Sequence, residues 1–201
     1  INEKKREGVW KIFYESGELK EQGSYKDNMR DGLWYTYFED GTKKGEIEYT
    51  DDNGRYIEYD HSGKVLAEGP KSGTRNVGHW RQFATDGTLS AEGDYSNGRK
   101  DGVWKYYYPS GKISAEGKYE NDQPVGIWTY YFEDGKVSSK GEFVGGKKHG
   151  YWSSLNQNGT LHSETDFKNG SGEYREYYQN GKLKIKGMIE DGKSQGKWTY
   201  Y

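Results

Sequence analysis

The segment GMIEDGKS, residues 187–194, satisfies the GxxxxGK[ST] pattern of a loop that cradles phosphates with backbone N–H groups, a lysine and a hydroxyl. GEFVGGKK at 141–148 repeats the spacing without the hydroxyl. A phosphate loop has to open into a helix whose N-terminus faces the anion, whereas QGKWTYY follows here, a strand-like segment. The other groups able to do chemistry are equally dispersed. His61, His79, His149 and His162 lack HExxH or other metal-ligand spacing and read as surface or turn histidines. Glu116, Glu133 and Asp134 are acid-base candidates by type, but among 32 acids on a charged surface they read as solvated pairs. The sequons at Asn158 and Asn169 are Asn-Gly turn signals. With no cysteine, thiol nucleophiles, disulfides and cysteine zinc sites are excluded. No catalytic residue, cofactor or metal is expected.

The elements that would have to position such groups are copies of one unit. A glycine two residues before an aromatic anchor and a glycine seven after it recur with anchors Trp10, Trp34, Tyr56, Trp80, Trp104, Trp128, Trp152, Tyr174 and Trp198, at steps of 22 or 24 residues. That period signals stacked supersecondary units sharing one core. It also accounts for the phosphate-loop match, because Gly187 is equivalent to Gly93 and Gly117, and Gly192 to Gly98.

In GVWKYYYPSGKISAEGKY, residues 102–119, a strand-forming anchor segment meets a PSG turn signal and then a second arm alternating in period two. The alternation places Ile113, Ala115, Gly117 and Tyr119 on one face and Ser114, Glu116 and Lys118 on the other. Polar connections such as KDNMRDG and ENDQPVG lead to the next anchor. Glycine at this frequency, costing about 1 kcal/mol each in a helix, excludes helices. The two 22-residue steps each lose two residues, one loss being placed between Gly41 and Gly45 and the other between Phe167 and Gly172. Two is the strand period, so later side chains keep their face. The predicted fold is all-β, an elongated repeat array of β-hairpins forming one long twisted antiparallel sheet. Residues 1–201 make a single array of about eight full repeats with partial ones at both ends. The large residue three after each anchor falls opposite it, so either a bulge realigns the two or both faces carry buried aromatics.

Leu, Ile, Val and Phe number only 28, while 20 Tyr and 7 Trp supply the missing burial, which implies a thin aromatic core. Thirty basic against 32 acidic residues, interspersed, give no clustered basic face, so neither nucleic acid nor membrane binding is expected. No apolar run approaches the ~20 residues of a spanning helix. The chain is expected to be soluble, either cytoplasmic or exported to a bacterial envelope with its leader removed. It starts and ends inside a repeat, as a fragment or a mature form would.

On these residues the chain resembles the MORN-repeat family, in the bacterial variant whose units read G-x-W-x-x-Y-x-x-x-G-x-L and then G-x-Y. The likeness covers essentially the whole chain and rests on the number of copies. It implies a non-catalytic array of hairpins used for protein or membrane-surface contacts, often labelled as the YwqK-family antitoxin of a toxin-antitoxin pair. A weaker likeness to choline-binding and glucan-binding repeats gives the alternative of a cell-surface glycan or cell-wall binder, although their shorter repeat and second boundary tryptophan are missing. Two regions depart from the pattern. The third copy has Tyr56, Pro70 and Lys71, and its second arm is expected to fray or bend; the seventh and eighth have Asn156, Thr165 and Tyr174. Copies five and six are richest in aromatics. Exposed, Tyr106, Tyr108, Tyr130 and Phe132 would form the partner-binding patch; buried, they would join the core. A protein partner is expected, and the open sheet edges make self-association an option. Lys193→Ala is expected to leave ATP binding and hydrolysis unchanged at background; hydrolysis that disappears in this variant would overturn the reading of 187–194 as a repeat segment.

Overall fold

A computed structural model describes residues 5–201. The described residues contain strands and turns and no helix, hence none long and apolar enough to cross a membrane. The repeats fall into two compact units, Ile1–Arg99 and Lys100–Tyr201. The first contains β1 (Gly8–Phe13), β2 (Leu19–Lys26), β3 (Met29–Tyr37), β4 (Lys43–Thr50), β5 (Asn53–Tyr59), β6 (Val65–Ser72), β7 (Arg75–Asn76), β8 (Gly78–Phe83) and β9 (Leu89–Ser96). The second contains β10 (Arg99–Tyr107), β11 (Ile113–Glu120), β12 (Gln123–Tyr131), β13 (Val137–Val144), β14 (Lys147–Leu155), β15 (Leu161–Lys168), β16 (Ser171–Tyr177), β17 (Leu183–Glu190) and β18 (Lys193–Tyr200). Inside each unit the strands pair antiparallel in chain order, β6 being shared by β7 and β8. This is the predicted all-β array of hairpins.

Each repeat uses two turns of different kinds. After the anchor strand, Tyr108 N–H donates to the Lys112 carbonyl (2.8 Å) and Gly111 N–H to the Tyr108 carbonyl (2.8 Å), closing a loop of three residues. Pairing then skips Ser114, passing from Tyr107↔Ile113 to Tyr106↔Ala115. This bulge carries Ile113 opposite Tyr107, off the face on which simple alternation had put it. The polar connections are themselves tight hairpins. Asn121 and Asp122, both left-handed (φ 50° and 68°), form the whole loop between β11 and β12, so the rest of ENDQPVG is strand.

A second irregularity sets the repeat apart from a plain meander. Between β11 and β12 the register jumps from Glu116↔Thr129 to Lys118↔Val125, leaving Gly117 against Gly126, Ile127 and Trp128. Gly126 takes φ +63°, a conformation costly for any residue with a Cβ, and the wide bulge turns Trp128 back across the strand pair. Its ring lies so close over Gly117 that a Cβ there would fall inside the indole. Trp34 sits over Gly23, Trp80 over Gly69, Trp152 over Gly141 and Trp198 over Gly187 in the same way. The indole N–H groups of Trp34, Trp80, Trp128 and Trp152 donate to the carbonyl just after the glycine, as in Trp34 to Ser24 (2.9 Å) and Trp152 to Glu142 (2.9 Å), whereas that of Trp198 has no partner among the described residues.

The bulge also locates the missing residues of the two short steps. β4–β5 and β15–β16 pair without any register shift, with Ile47↔Tyr56 and Thr165↔Tyr174 directly opposite. Both losses therefore fall at the bulge. The segment Gly41–Gly45 is complete, because Thr36↔Gly45 and Tyr37↔Lys43 match the other hairpins, and the first loss lies between Tyr49 and Tyr56. Where no tryptophan folds back, the residue beneath need not be glycine, which explains Ile47 and Thr165. Pro70 does not fray its arm either. β6 pairs with β5 through Arg55↔Pro70 and Gly54↔Lys71, and the interruption appears in the next strand, between β7 and β8.

The core is the anchor face. Trp34, Trp80, Trp104, Trp128 and Trp152 are buried, and they alternate edge-to-face with the aromatic residues of the return strands: Tyr25–Trp34 at 5.0 Å, Tyr119–Trp128 at 5.1 Å, Phe143–Trp152 at 5.0 Å. The residue three after the anchor stays on the opposite face. Its tyrosine bonds to an acid of the preceding return strand: Tyr131 to Glu116, Tyr59 to Glu46 and Tyr177 to Glu164, each 2.6 Å. Both faces thus carry aromatics. Gly117→Ala should destabilise the fold by about 1–3 kcal/mol in urea unfolding, because the Cβ must displace a packed indole. Ser110→Ala, in an exposed turn, should stay within ~0.5 kcal/mol.

Candidate functional site

The anchor face of the second unit is a ladder of rings with one gap. Two residues after the anchor, Tyr106 and Tyr130 extend the ladder sideways: Tyr106 lies between Trp104 (6.3 Å) and Trp128 (6.2 Å), and Tyr130 between Trp128 (6.2 Å) and Trp152 (6.4 Å). In the next repeat the equivalent residue is Ser154, and Tyr174 replaces the following tryptophan. The loss of one ring at Ser154 and the smaller ring of Tyr174 leave a groove of about 550 Å³ walled by Phe143, Trp152, Phe167, Tyr174 and Ile189. That size suits a small ligand or a few residues of a chain. Ser154 and Ser163 share a hydrogen bond at its side (2.7 Å), and Lys148 lies 4.3 Å over Trp152 and 5.5 Å over Phe167. Burial of the ammonium against these rings lowers the Lys148 pKa, and among the described residues it has no ion-pair or hydrogen-bond partner.

The four sequence-predicted partner residues separate into two places. Tyr106 and Tyr130 are half-buried on the anchor face, either side of Trp128. Tyr106 O–H and Tyr119 O–H are 3.0 Å apart, and Lys100 donates to Tyr106 at 3.0 Å. Tyr108 and Phe132 stand at the hairpin ends, also half-buried. Tyr108 donates to the Tyr131 carbonyl of the next repeat (2.6 Å), as Tyr14 does to that of Tyr37 (2.7 Å). This clamp between repeats forms where the position four after the anchor is tyrosine, at Tyr14, Tyr108 and Tyr178, and Phe132 has no hydroxyl to make it.

Sequence reasoning missed the exposed apolar column. The middle residue of the wide bulge is thrust outward, and Val103, Ile127 and Tyr151 are 54–58% exposed in the second unit, as is Leu33 (54%) in the first. Where the bulge is lost, the same position holds Arg55 and Glu173. Its periodic signal was the apolar residue immediately before Trp10, Trp34, Trp104, Trp128 and Trp152, whereas Trp80 and Trp198 follow His79 and Lys197. Strands spaced ~4.8 Å apart set Val103, Ile127 and Tyr151 about 10 Å from one another, in three successive repeats.

The groups able to do chemistry have structural surroundings. Gly187 lies under Trp198, and Lys193 and Ser194 begin β18, so no helix N-terminus follows the phosphate-loop match. No group of three or more His, Asp or Glu that could hold a metal exists among the described residues. His61 stacks on Phe38 (3.8 Å), and His79 Nδ1 lies 3.0 Å from Asp94. Glu116 accepts from Tyr131, while Asp134 takes the Lys136 N–H in its turn.

The family model described as MORN repeat variant matches residues 6–27, 30–51, 100–121, 124–144, 148–169 and 171–191. No curated protein matches the chain. Solved structures that match include a Staphylococcus aureus TarM variant in complex with fondaparinux, α-GlcNAc-glycerol and UDP, at 15% identity and TM-score 0.25 over 58% of this chain and 19% of that one. Another is the complex of accessory secretory proteins 1, 2 and 3 of Streptococcus pneumoniae, at 18% identity and TM-score 0.19 over 66% of this chain and 19% of that one. The chain thus spans about a fifth of the length of either.

Two phenols, Tyr119 in the ladder and Tyr59 on the opposite face of the first unit, are set apart by pH. Burial, then the hydrogen bond to Tyr106, pushes Tyr119 up to about 12, and burial with the bond to Glu46 does the same for Tyr59. Both folded pKa values lie above the unfolded value near 10, so this contribution to stability is complete below pH 10 and lost as pH rises towards 12. A spectrophotometric titration at alkaline pH should show a late class of tyrosines that Tyr119→Phe and Tyr59→Phe remove.

Proposed function

The chain belongs to the MORN repeat variant family, and from that premise we propose that it is a non-catalytic scaffold that docks a protein along the bulge face of its repeats. The observation that carries this reading is the exposed column Val103, Ile127 and Tyr151. In three successive repeats of the second unit one apolar side chain stands out before the tryptophan, about 10 Å from the next, and gives a partner a regular series of contacts on a stiff sheet. Isolated exposed apolar residues are ordinary; a periodic set is not. The half-buried Tyr131 and Tyr107 flank the column on that face and add amphipathic area of the kind enriched at hot spots. Tyr106 and Tyr130 serve the docking surface from the groove face, and Tyr108 and Phe132 from the hairpin ends. The family resemblance points to a toxin as the partner, with this chain as its antitoxin.

The groove beside Trp152 favours the second reading, a glycan or cell-wall polymer binder. Aromatic walls for a sugar ring to stack on, with serine hydroxyls, Lys148, Glu164 and Asp191 to meet its hydroxyl groups, form a concave site. The two readings rest on different residues, the exposed column and the groove lining, and so separate by mutation. In an affinity pull-down with the full chain as bait, a triple Val103→Ser, Ile127→Ser, Tyr151→Ser variant should lose a specific protein while keeping the wild-type circular dichroism. Variants at Tyr106 with Tyr130, and at Tyr108 with Phe132, report on the other two surfaces. A saturable glycan signal that Ser154→Tyr abolishes, with no protein lost in the triple variant, would displace the scaffold reading.

A further inference from the structure

Charge is evenly dispersed along the sequence, but the first unit gathers three guanidinium groups around one cavity. Arg6 and Arg30 each lie four residues before an anchor, and Arg75 is in β7. The turns of successive repeats are tied together: Asn28 N–H donates to the Arg6 carbonyl (3.1 Å), Asp52 N–H to that of Arg30 (3.1 Å) and Gly73 N–H to that of Asp52 (2.6 Å). This stacking borders an open pocket of about 540 Å³ lined by the three arginines, with Asn28, Asp52 and Thr74 among the remaining walls.

The arginines differ in what they are free to do. Arg30 is committed, with Nη2 3.0 Å from Glu21 and Nη1 donating to Tyr49 (3.2 Å). Arg6 is oriented without being neutralised: its guanidinium carbon is 5.4 Å from the Trp10 ring and 5.3 Å from the Tyr25 ring, and Nη1 donates to Tyr25 (3.4 Å). Among the described residues neither Arg6 nor Arg75 has a carboxylate partner. Asp52 is the one acid in the cavity wall, and its Oδ1 accepts from the Arg30 backbone N–H (3.2 Å). The cavity therefore holds an excess of positive charge with planar, multidentate donors, and the aromatic stacking of Arg6 reduces the entropy lost on binding.

We infer that this cavity binds an oxyanion, the phosphate or sulfate group of a small soluble molecule, between Arg6 and Arg75. Arg30 positions the site, and Asn28 and Thr74 supply further donors. The site is separate from the proposed docking column and does not depend on it.

Inorganic phosphate and inorganic sulfate, titrated calorimetrically into the full chain at constant ionic strength, test this assignment. Saturable binding is expected, weakened about tenfold by Arg6→Gln or Arg75→Gln alone and abolished in the double variant, since each removes a charge-assisted contact. Arg55→Gln and Arg175→Gln, at exposed arginines elsewhere, should leave it unchanged, and circular dichroism should be identical throughout. Equal affinity in the double variant, or no saturation by about 10 mM of either anion, overturns the assignment. So does flotation with phosphatidylglycerol vesicles that needs Arg6 and Arg75 while the soluble anions do not bind, because the occupant would then be a lipid surface.

Discussion

The contact on which the rest depends is the tryptophan of one repeat laid over the glycine of the repeat before it. A short strand pair has too little apolar surface to hold itself together, and the aliphatic content here is low. Burying an indole removes 150–250 Å² from water, roughly 4–6 kcal/mol of gross stabilisation at about 25 cal/mol per Å². A flat sheet could not achieve this, since the ring would stand up from the surface. The wide bulge tilts it down, and the glycine beneath makes the necessary space. Trp10, before which no strand is described, is 40% exposed, whereas Trp34 is 1% exposed. The difference is the underlying glycine of a preceding return strand, so each repeat completes the core of its neighbour.

The same distortion produces the surface. Turning the tryptophan inward requires its predecessor to turn outward, so a buried ring and an exposed side chain are two ends of one backbone device. The two Tyr-anchored repeats show the alternative state of the same sheet: regular pairing, Ile47 or Thr165 under the anchor, and a charged residue at the outward position. Irregularity in the repeat is thus not noise. It switches off one exposed contact, and in the second unit, together with Ser154, it leaves the groove beside Trp152.

Cations are handled consistently with a core that is aromatic and thin. Arg30 lies 4.4 Å over Trp34, Lys100 4.0 Å over Trp104 and Lys148 4.3 Å over Trp152, each four residues ahead of its anchor. They cover the ring faces that the ladder leaves open, for about 0.5–2 kcal/mol each. Where the tyrosine hydroxyls and Glu21 answer the charge, as at Arg30, the cation is structural. At Arg6, Arg75 and Lys148 no carboxylate answers it among the described residues, and the proposed anion site rests on the first two.

The sequence by itself determined the period, the all-β character, the hairpin after each anchor and the aromatic core, because these follow from local alternation, turn chemistry and identical spacing. It also exposed the phosphate-loop match as a repeat, since Gly187 and Gly192 fall on fixed positions of the unit. Only the tertiary structure decided the register. The bulge opposite Gly117 pairs three residues with one, a choice made between strands and invisible in either strand alone, so the loss placed at Gly41–Gly45 belonged between Tyr49 and Tyr56. The same limit hid the exposed column: simple alternation assigns Ile127 a face but not the outward thrust that bulging gives it. Arg6, Arg30 and Arg75 are far apart in the chain, and only stacked turns bring them to one cavity. Local patterns encode which element forms, whereas what faces what depends on contacts made across the whole repeat.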